Sequence, residues 1–302
     1  MRKYIEIMRP GHWSKNIFLF AGLVFGRKLA GPGGEVIGSV LSALAGFLCF
    51  SLAASAIYIL NDIVDRASDV GHPVKKGRPI ASGKVSVKRA GILAVILGFL
   101  SVIGSFLLVR EFGFVIVGYI VLTVFYSLIF KRMMILDVIV ISLGFVLRAI
   151  GGAVVVGVFI SPWLLICTFS LCLFLGFGKR RSEIELLGDE SESFRRTLAG
   201  YTPGLLDHML SVSSGLAVVC FLLYATDDHT YRLFGTRSLV YTTPMVLYCI
   251  FRFSALIQQG RASSPVHVIM HDLAFQAGFS LWVLACGVII YAGGMFEDLW
   301  LH

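Results

Sequence analysis

The residues with the most evident chemistry lie in the run Asn61-Asp62-Ile63-Val64-Asp65-Arg66-Ala67-Ser68-Asp69. Asn61, Asp65 and Asp69 are spaced four apart, and Asp62 precedes Asp65 by three. On a continuous helix these side chains share one face. Carboxylates stacked in this way repel one another, so the pattern calls for positive charge. An oxygen-only set of Asp and Asn suits Mg²⁺, a hard cation that keeps several waters and is usually shared with substrate phosphates. The run therefore reads as a Mg²⁺-diphosphate site, with Asp62, Asp65 and Asp69 as catalytic carboxylates and Asn61, Asp62, Asp65 and Asp69 as metal ligands. A solvated loop with scattered acids is the plain alternative. It is disfavoured because the run ends a long apolar segment and a dense basic loop follows.

That loop contains Lys75-Lys76-Gly77-Arg78-Pro79-Ile80-Ala81-Ser82-Gly83. Arginine grips phosphate bidentately, whereas lysine supplies a point charge. Arg78 and Lys75 are the expected substrate contacts, beside Asn61. Lys76, Lys84, Lys88 and Arg89 are assigned to topology. Gly77, Pro79 and Gly83 predict turns that give the loop a defined shape.

The elements that must position these residues are membrane spans. Of the 302 residues, 57% are hydrophobic and 15% charged, and the mean hydropathy is +0.85. Soluble domains carry about 45–50% apolar and ~25% charged residues, so the medium is lipid. Spanning a bilayer takes about 20 apolar residues as helix. Nine segments fit: 16–34, 36–60, 88–109, 112–130, 135–157, 160–178, 207–226, 238–257 and 273–293. Arg27 and Lys28 interrupt the first of them. Its basic lead-in imitates a secretory signal, but the spans that follow favour a retained first helix. The expected fold is an all-α polytopic bundle of nine transmembrane helices with cytoplasmic active-site loops, in a single domain over 1–302. Cys49, Cys167, Cys172, Cys220, Cys249 and Cys286 lie inside apolar runs without ligand spacing and read as reduced packing residues.

Lys and Arg set the expected orientation. Twenty fall in connections on one side and five on the other, with Arg148 inside a span. The N-terminus and the loops at 61–87 and 179–206 are then cytoplasmic, in a multi-pass protein of the cell (inner) membrane. The net charge of +8 is thereby explained by the bilayer, with no nucleic-acid partner. Loops of this length are usually functional or disordered, and their motif-like residues favour function.

Asn61-Asp62-x-x-Asp65-x-x-x-Asp69 followed by Arg78-Pro79-Ile80-Ala81-Ser82-Gly83 resembles the first Asp-rich motif of the UbiA-type intramembrane prenyltransferase superfamily. The expected spans agree with that fold over essentially the whole chain. Many members of the superfamily carry a second motif, D-x-x-x-D, after the sixth span. Here the sequence is Gly178-Lys179-Arg180-Arg181-Ser182-Glu183-Ile184-Glu185. The substitution resembles the decaprenyl-phosphate phosphoribosyltransferase branch, as do Arg9-Pro10-x-x-Trp13-x-Lys15-Asn16 and Arg196-x-x-x-x-Tyr201-Thr202. The resemblance implies transfer of 5-phosphoribosyl from phosphoribosyl diphosphate to a polyprenyl phosphate, with Mg²⁺ as cofactor and release of diphosphate. Both ribosyl and prenyl donors lose diphosphate from a carbon able to bear positive charge, so one acidic run serves either reaction.

A lipid phosphate is already ionised and needs cations rather than a strong base. Lys179, Arg180 and Arg181 could supply them, with Lys15, Arg78 and Lys131 as candidates for the donor's 5-phosphate. Glu183 could form a plain intrahelical pair with Lys179 or Arg180, but the resemblance favours a site role. Tyr126 is either a substrate contact or a member of the interfacial aromatic belt. Arg148, deep in a span, is functional by default, and a structural partner from another span has equal standing. Tyr201 and Asp272 complete the substrate-binding set, though Asp272 lacks the arginine that follows it in relatives. His267 and His271 read as surface residues. The rival readings are a prenyltransferase with a prenyl diphosphate donor and an aromatic or other acceptor, and a non-enzymatic lipid transporter. The missing second Asp motif weighs against the former, and the near absence of charge within the spans against the latter. A homo-oligomer is compatible with all of these.

Overall fold

A computed structural model describes residues 2–30, 32–71, 75–187, 198–261 and 265–300. No strand occurs among the described residues. In lipid every backbone polar group must be satisfied within its own segment, and helices achieve this. Among the described residues, eight helical segments are long and apolar enough to cross a membrane: Gly33–Val64, Val87–Leu108, Arg110–Leu128, Leu136–Val155, Pro162–Glu185, Pro203–Thr226, Ser238–Gln258 and Leu273–Ala292. Local chemistry sets several of their starts. Ser86 accepts from the Arg89 N–H at 3.4 Å, and Thr202 accepts from the Leu205 N–H at 3.2 Å just before Pro203. These are side-chain caps, with proline where its missing N–H costs nothing.

The segment expected as the first span, 16–34, is not one α-helix. Pro10–Phe20 is a 3₁₀ helix and Ala21–Phe25 a short α-helix, and turns lead from there to Gly33. A 3₁₀ helix rises about 2.0 Å per residue, so these sixteen residues extend roughly 30 Å, comparable to a bilayer core. Close packing fixes this geometry. A Cβ on Gly152 would lie 1.9 Å from the Leu19 carbonyl oxygen, and one on Gly22 2.9 Å from the Gly152 backbone. Small residues let two backbones approach in this way.

The chain divides into two compact units: residues 1–128 with 147–159, and residues 129–146 with 160–302. The Leu136–Val155 helix contributes to both. In the first unit, Phe50, Phe112, Tyr119 and Leu19 form one core. A second core of Ile7, Ile59, Ile80, Val85 and Ala90 pins the basic loop. In the second unit, Phe174, Phe253, Leu206, Leu210 and Tyr201 pack together with Val138. Large apolar side chains also point outward, among them Val95, Phe99 and Leu107, as lipid-facing helices require.

Candidate active site

The first cluster forms in the first unit, where the Gly33–Val64 helix ends. That helix runs four residues past its expected end but stops at Asp65, and a new helix spans Arg66–Val70. The break changes the expected face. Asp62 and Asp69, seven residues apart, are both buried, whereas Asp65 is half-buried. Arg78 Nη1 donates to Asp62 Oδ1 at 3.1 Å and to Asp69 Oδ2 at 2.7 Å. Arg9 Nη2 donates to the same Asp62 oxygen at 2.5 Å. The positive charge demanded by the acidic run is thus supplied by two arginines, each about a quarter exposed.

The loop holding Arg78 is as turn-rich as expected. Its Arg78 N–H donates to the Lys75 carbonyl, the Val85 N–H donates to the Pro79 carbonyl, and Gly83 adopts φ +76°. Ile80 and Val85 anchor it by burial. Arg9 is not among the site residues expected from the sequence. It has a left-handed backbone (φ 52°) and precedes Pro10, and its guanidinium lies 5.5 Å from the Tyr58 ring centroid. Its only signal is the Arg9-Pro10-x-x-Trp13 motif, whose Trp13 donates to Ser55 Oγ at 3.0 Å.

Asn61 is half-buried, and its Oδ1 atom is buried without a hydrogen-bond partner. A buried unsatisfied acceptor is costly unless something positive meets it. The donor set of Asn61, Asp62, Asp65 and Asp69 is oxygen-only and fits a hard divalent cation. Among the described residues, however, no three acidic, His or Cys side chains converge as a complete metal cage. In the same unit Lys15 is exposed, while Lys75 and Tyr126 are described by the same unit's loop and span end, Lys75 half-buried and Tyr126 likewise. Arg148 is 5% exposed and lies in a different setting. Its Nε donates to Asn16 Oδ1 at 2.7 Å and its Nη2 to the Tyr119 hydroxyl at 2.8 Å, with the guanidinium 4.7 Å from the Tyr119 ring centroid. Asn16 in turn donates to Ser51 at 3.0 Å. These contacts favour the structural role for Arg148.

The second cluster lies in the second unit. Asp137 is fully buried and binds Arg180 through Oδ2, at 3.0 Å from Nε and 2.9 Å from Nη2. Arg180 Nη1 donates to Glu183 at 2.6 Å, and Lys179 lies 3.7 Å from the other Glu183 oxygen. The Tyr201 hydroxyl donates to Asp137 Oδ1 at 3.0 Å and accepts from the Ile135 N–H at 2.7 Å. Burial first, then the nearby Asp137 charge, pushes the Tyr201 phenol up, so it remains a neutral donor. Ile135 itself is left-handed, with φ 70°. Sequence reasoning missed Asp137 because its partners lie far along the chain.

Arg181 bridges Glu185 and Asp207. Lys131 is half-buried, and Lys179 is exposed. Arg196 lies outside the described residues. Asp272 has its arginine after all, from a preceding helix: Arg252 binds it through two nitrogens at 3.1 and 2.7 Å. Asp272 also accepts from the Phe275 N–H at 2.7 Å, capping the last helix. The Arg252 contact first, then the Phe275 N–H, holds its carboxyl below the usual range.

The helices define a multi-pass membrane protein, with an arginine-bridged carboxylate cluster at the end of one span. The UbiA prenyltransferase family model matches residues 18–271, and the chain belongs to that family. The decaprenyl-phosphate phosphoribosyltransferase of Mycobacterium tuberculosis is 30% identical, over 96% of this chain and 94% of that protein. The enzyme of the same name from Corynebacterium glutamicum is 31% identical, over 97% and 88%. The fold matches a UbiA homologue from Archaeoglobus fulgidus bound to GPP and Mg²⁺, with a TM-score of 0.69, at 20% identity over 95% of this chain and 99% of that one.

Proposed function

We propose that this chain transfers 5-phosphoribosyl from phosphoribosyl diphosphate to a polyprenyl phosphate of the decaprenyl type. The observation that carries this reading is its near-full-length likeness to the mycobacterial and corynebacterial phosphoribosyltransferases. A lipid phosphate oxygen forms the new bond to ribose C1, the C1–O bond to diphosphate breaks, and diphosphate leaves with the bonding electrons. Residues 1–302 act as one catalytic domain in this reading, since the family match runs through both units. The one-sided distribution of Lys and Arg supports a cytoplasmic N-terminus and active site in the cell membrane.

Asn61, Asp62, Asp65 and Asp69 would hold Mg²⁺, assisted by diphosphate oxygens and water, which suits a cation that rarely takes an all-protein cage. Bound there, Mg²⁺ supplies charge neutralisation for the departing diphosphate. Arg78 and Arg9 hold Asp62 and Asp69 in place and can turn from carboxylate to phosphate, a comparable charge-assisted partner. Lys75, Lys15 and Lys131 are the cations proposed for the donor's phosphates. Lys179 is proposed to meet the lipid phosphate, with Arg180 held rigidly beside it by Asp137 and Glu183, and Asp137 in turn by Tyr201.

A second reading is favoured by one observation: the Archaeoglobus homologue binds GPP, so this fold accommodates a prenyl diphosphate. One assay separates the two. The purified full-length protein is incubated with Mg²⁺, polyprenyl phosphate and labelled phosphoribosyl diphosphate, and in parallel with a labelled prenyl diphosphate and an aromatic acid. The expected product is a labelled phosphoribosyl lipid. Label incorporated only in the second mixture overturns the proposal.

A further inference from the structure

The far end of the Gly33–Val64 helix carries polar chemistry that the proposed reaction does not use. A cavity of about 310 Å³ opens there, lined by Lys28, Glu35, Gly38, Ser39, Ser42 and Val155 among others, all in the first unit. Glu35 and Asp62 sit on one helix twenty-seven positions apart, about 40 Å at 1.5 Å per residue. That is about the thickness of a bilayer including its headgroups. The cavity therefore lies at headgroup depth in the leaflet opposite the acidic run.

We propose that this cavity binds the headgroup of a zwitterionic phospholipid of the phosphatidylethanolamine class, its phosphate on Lys28 and its ammonium on Glu35. Two observations support this. First, neither Lys28 nor Glu35 makes an ion pair among the described residues, although Lys28 is half-buried. Second, the wall offers one positive charge, one negative charge and two hydroxyls, the complement of a headgroup with both charges.

The two charges have separable tasks. Every phospholipid carries the phosphate that Lys28 recognises, so Lys28 sets affinity. Glu35 sets selectivity, because an ethanolamine ammonium donates three N–H groups, as a lysine ammonium does. A choline headgroup has no N–H to donate. A phosphatidylglycerol headgroup has no cation and adds a charge that Glu35 repels.

Native mass spectrometry of the full-length protein, titrated with dioleoyl phosphatidylethanolamine, phosphatidylglycerol or phosphatidylcholine, tests the assignment. The expected result is tighter retention of the ethanolamine lipid, on the order of tenfold. Glu35→Gln should make the ethanolamine and glycerol lipids bind equally, and Glu35→Lys should invert the preference. Lys28→Gln should weaken all three. Equal binding of the three lipids by the native protein, or an ethanolamine preference unchanged in Glu35→Gln, overturns the proposal. Neither outcome bears on the transferase reading, because the cavity shares no residue with the acidic cluster.

Discussion

The two polar clusters solve the burial of charge in opposite ways. In the first unit, Asp62 and Asp69 are buried while their partners Arg9 and Arg78 keep about a quarter of their side-chain surface in contact with solvent. In the second unit both members of the central pair are inside: Arg180 is 4% exposed and Asp137 not at all. Charge pairs that reach water are weakly held and can exchange partners. A fully buried pair is not exchangeable, because separating it leaves a desolvated charge. In the proposed reaction the acidic cluster can therefore trade arginine for a ligand. The Asp137–Arg180 cluster is built to fix the shape of the helix end that carries Lys179.

Asp137 is where this division of labour is most exposed to test. Asp137→Ala should destabilise the protein by about 3–5 kcal/mol, the cost of orphaning a buried charge, read as a lowered thermal midpoint in detergent. A midpoint shift no larger than that of a surface variant would put the second cluster in the exchangeable class. Asp62→Asn tests the other side. Turnover should fall by about 10²–10³, the usual cost of removing one electrostatic group from a reacting site, with little change in midpoint because Arg9 and Arg78 reach solvent. Tyr201→Phe should cost about 1–3 kcal/mol, since it leaves the Ile135 N–H and Asp137 short of a partner. Arg78→Lys removes a planar donor that bridges two carboxylates, and a rise in donor KM of roughly tenfold is expected in steady-state kinetics.

The smallest effect is one of pH. Because the Asp272 carboxyl is held below its ordinary value, its contact with Arg252 is complete above the usual carboxylate range. It is lost as pH falls through the lowered value. Hydrogen exchange over residues 265–275 should accelerate only in acid, and should be fast at neutral pH in Asp272→Asn.

The sequence was legible where chemistry is local. Asn61, Asp62, Asp65 and Asp69 announced themselves by type and spacing, and Gly83 by its turn. The phase of the run was not legible, because nothing local marks Asp65 as the residue where the helix stops. Partnerships across the chain were equally hidden. Arg9 lies 53 residues from Asp62, Arg180 lies 43 from Asp137, and Arg148 lies 132 from Asn16. A single sequence carries no record of which distant charges meet. The first span misled for another reason, since hydropathy measures what a segment dissolves in and not how tightly it is wound.

Ile135 bears on how this protein could change over time. A β-branched residue with φ 70° carries about 1–3 kcal/mol of backbone strain, which a glycine in its place would not feel. The side chain, however, packs against the core of the second unit, and its burial offsets that strain. Ile135→Gly would relieve the one and forfeit the other, so the exchange that the backbone alone invites brings no gain in robustness. Descent under selection for stability should therefore keep a bulky apolar residue at this left-handed position.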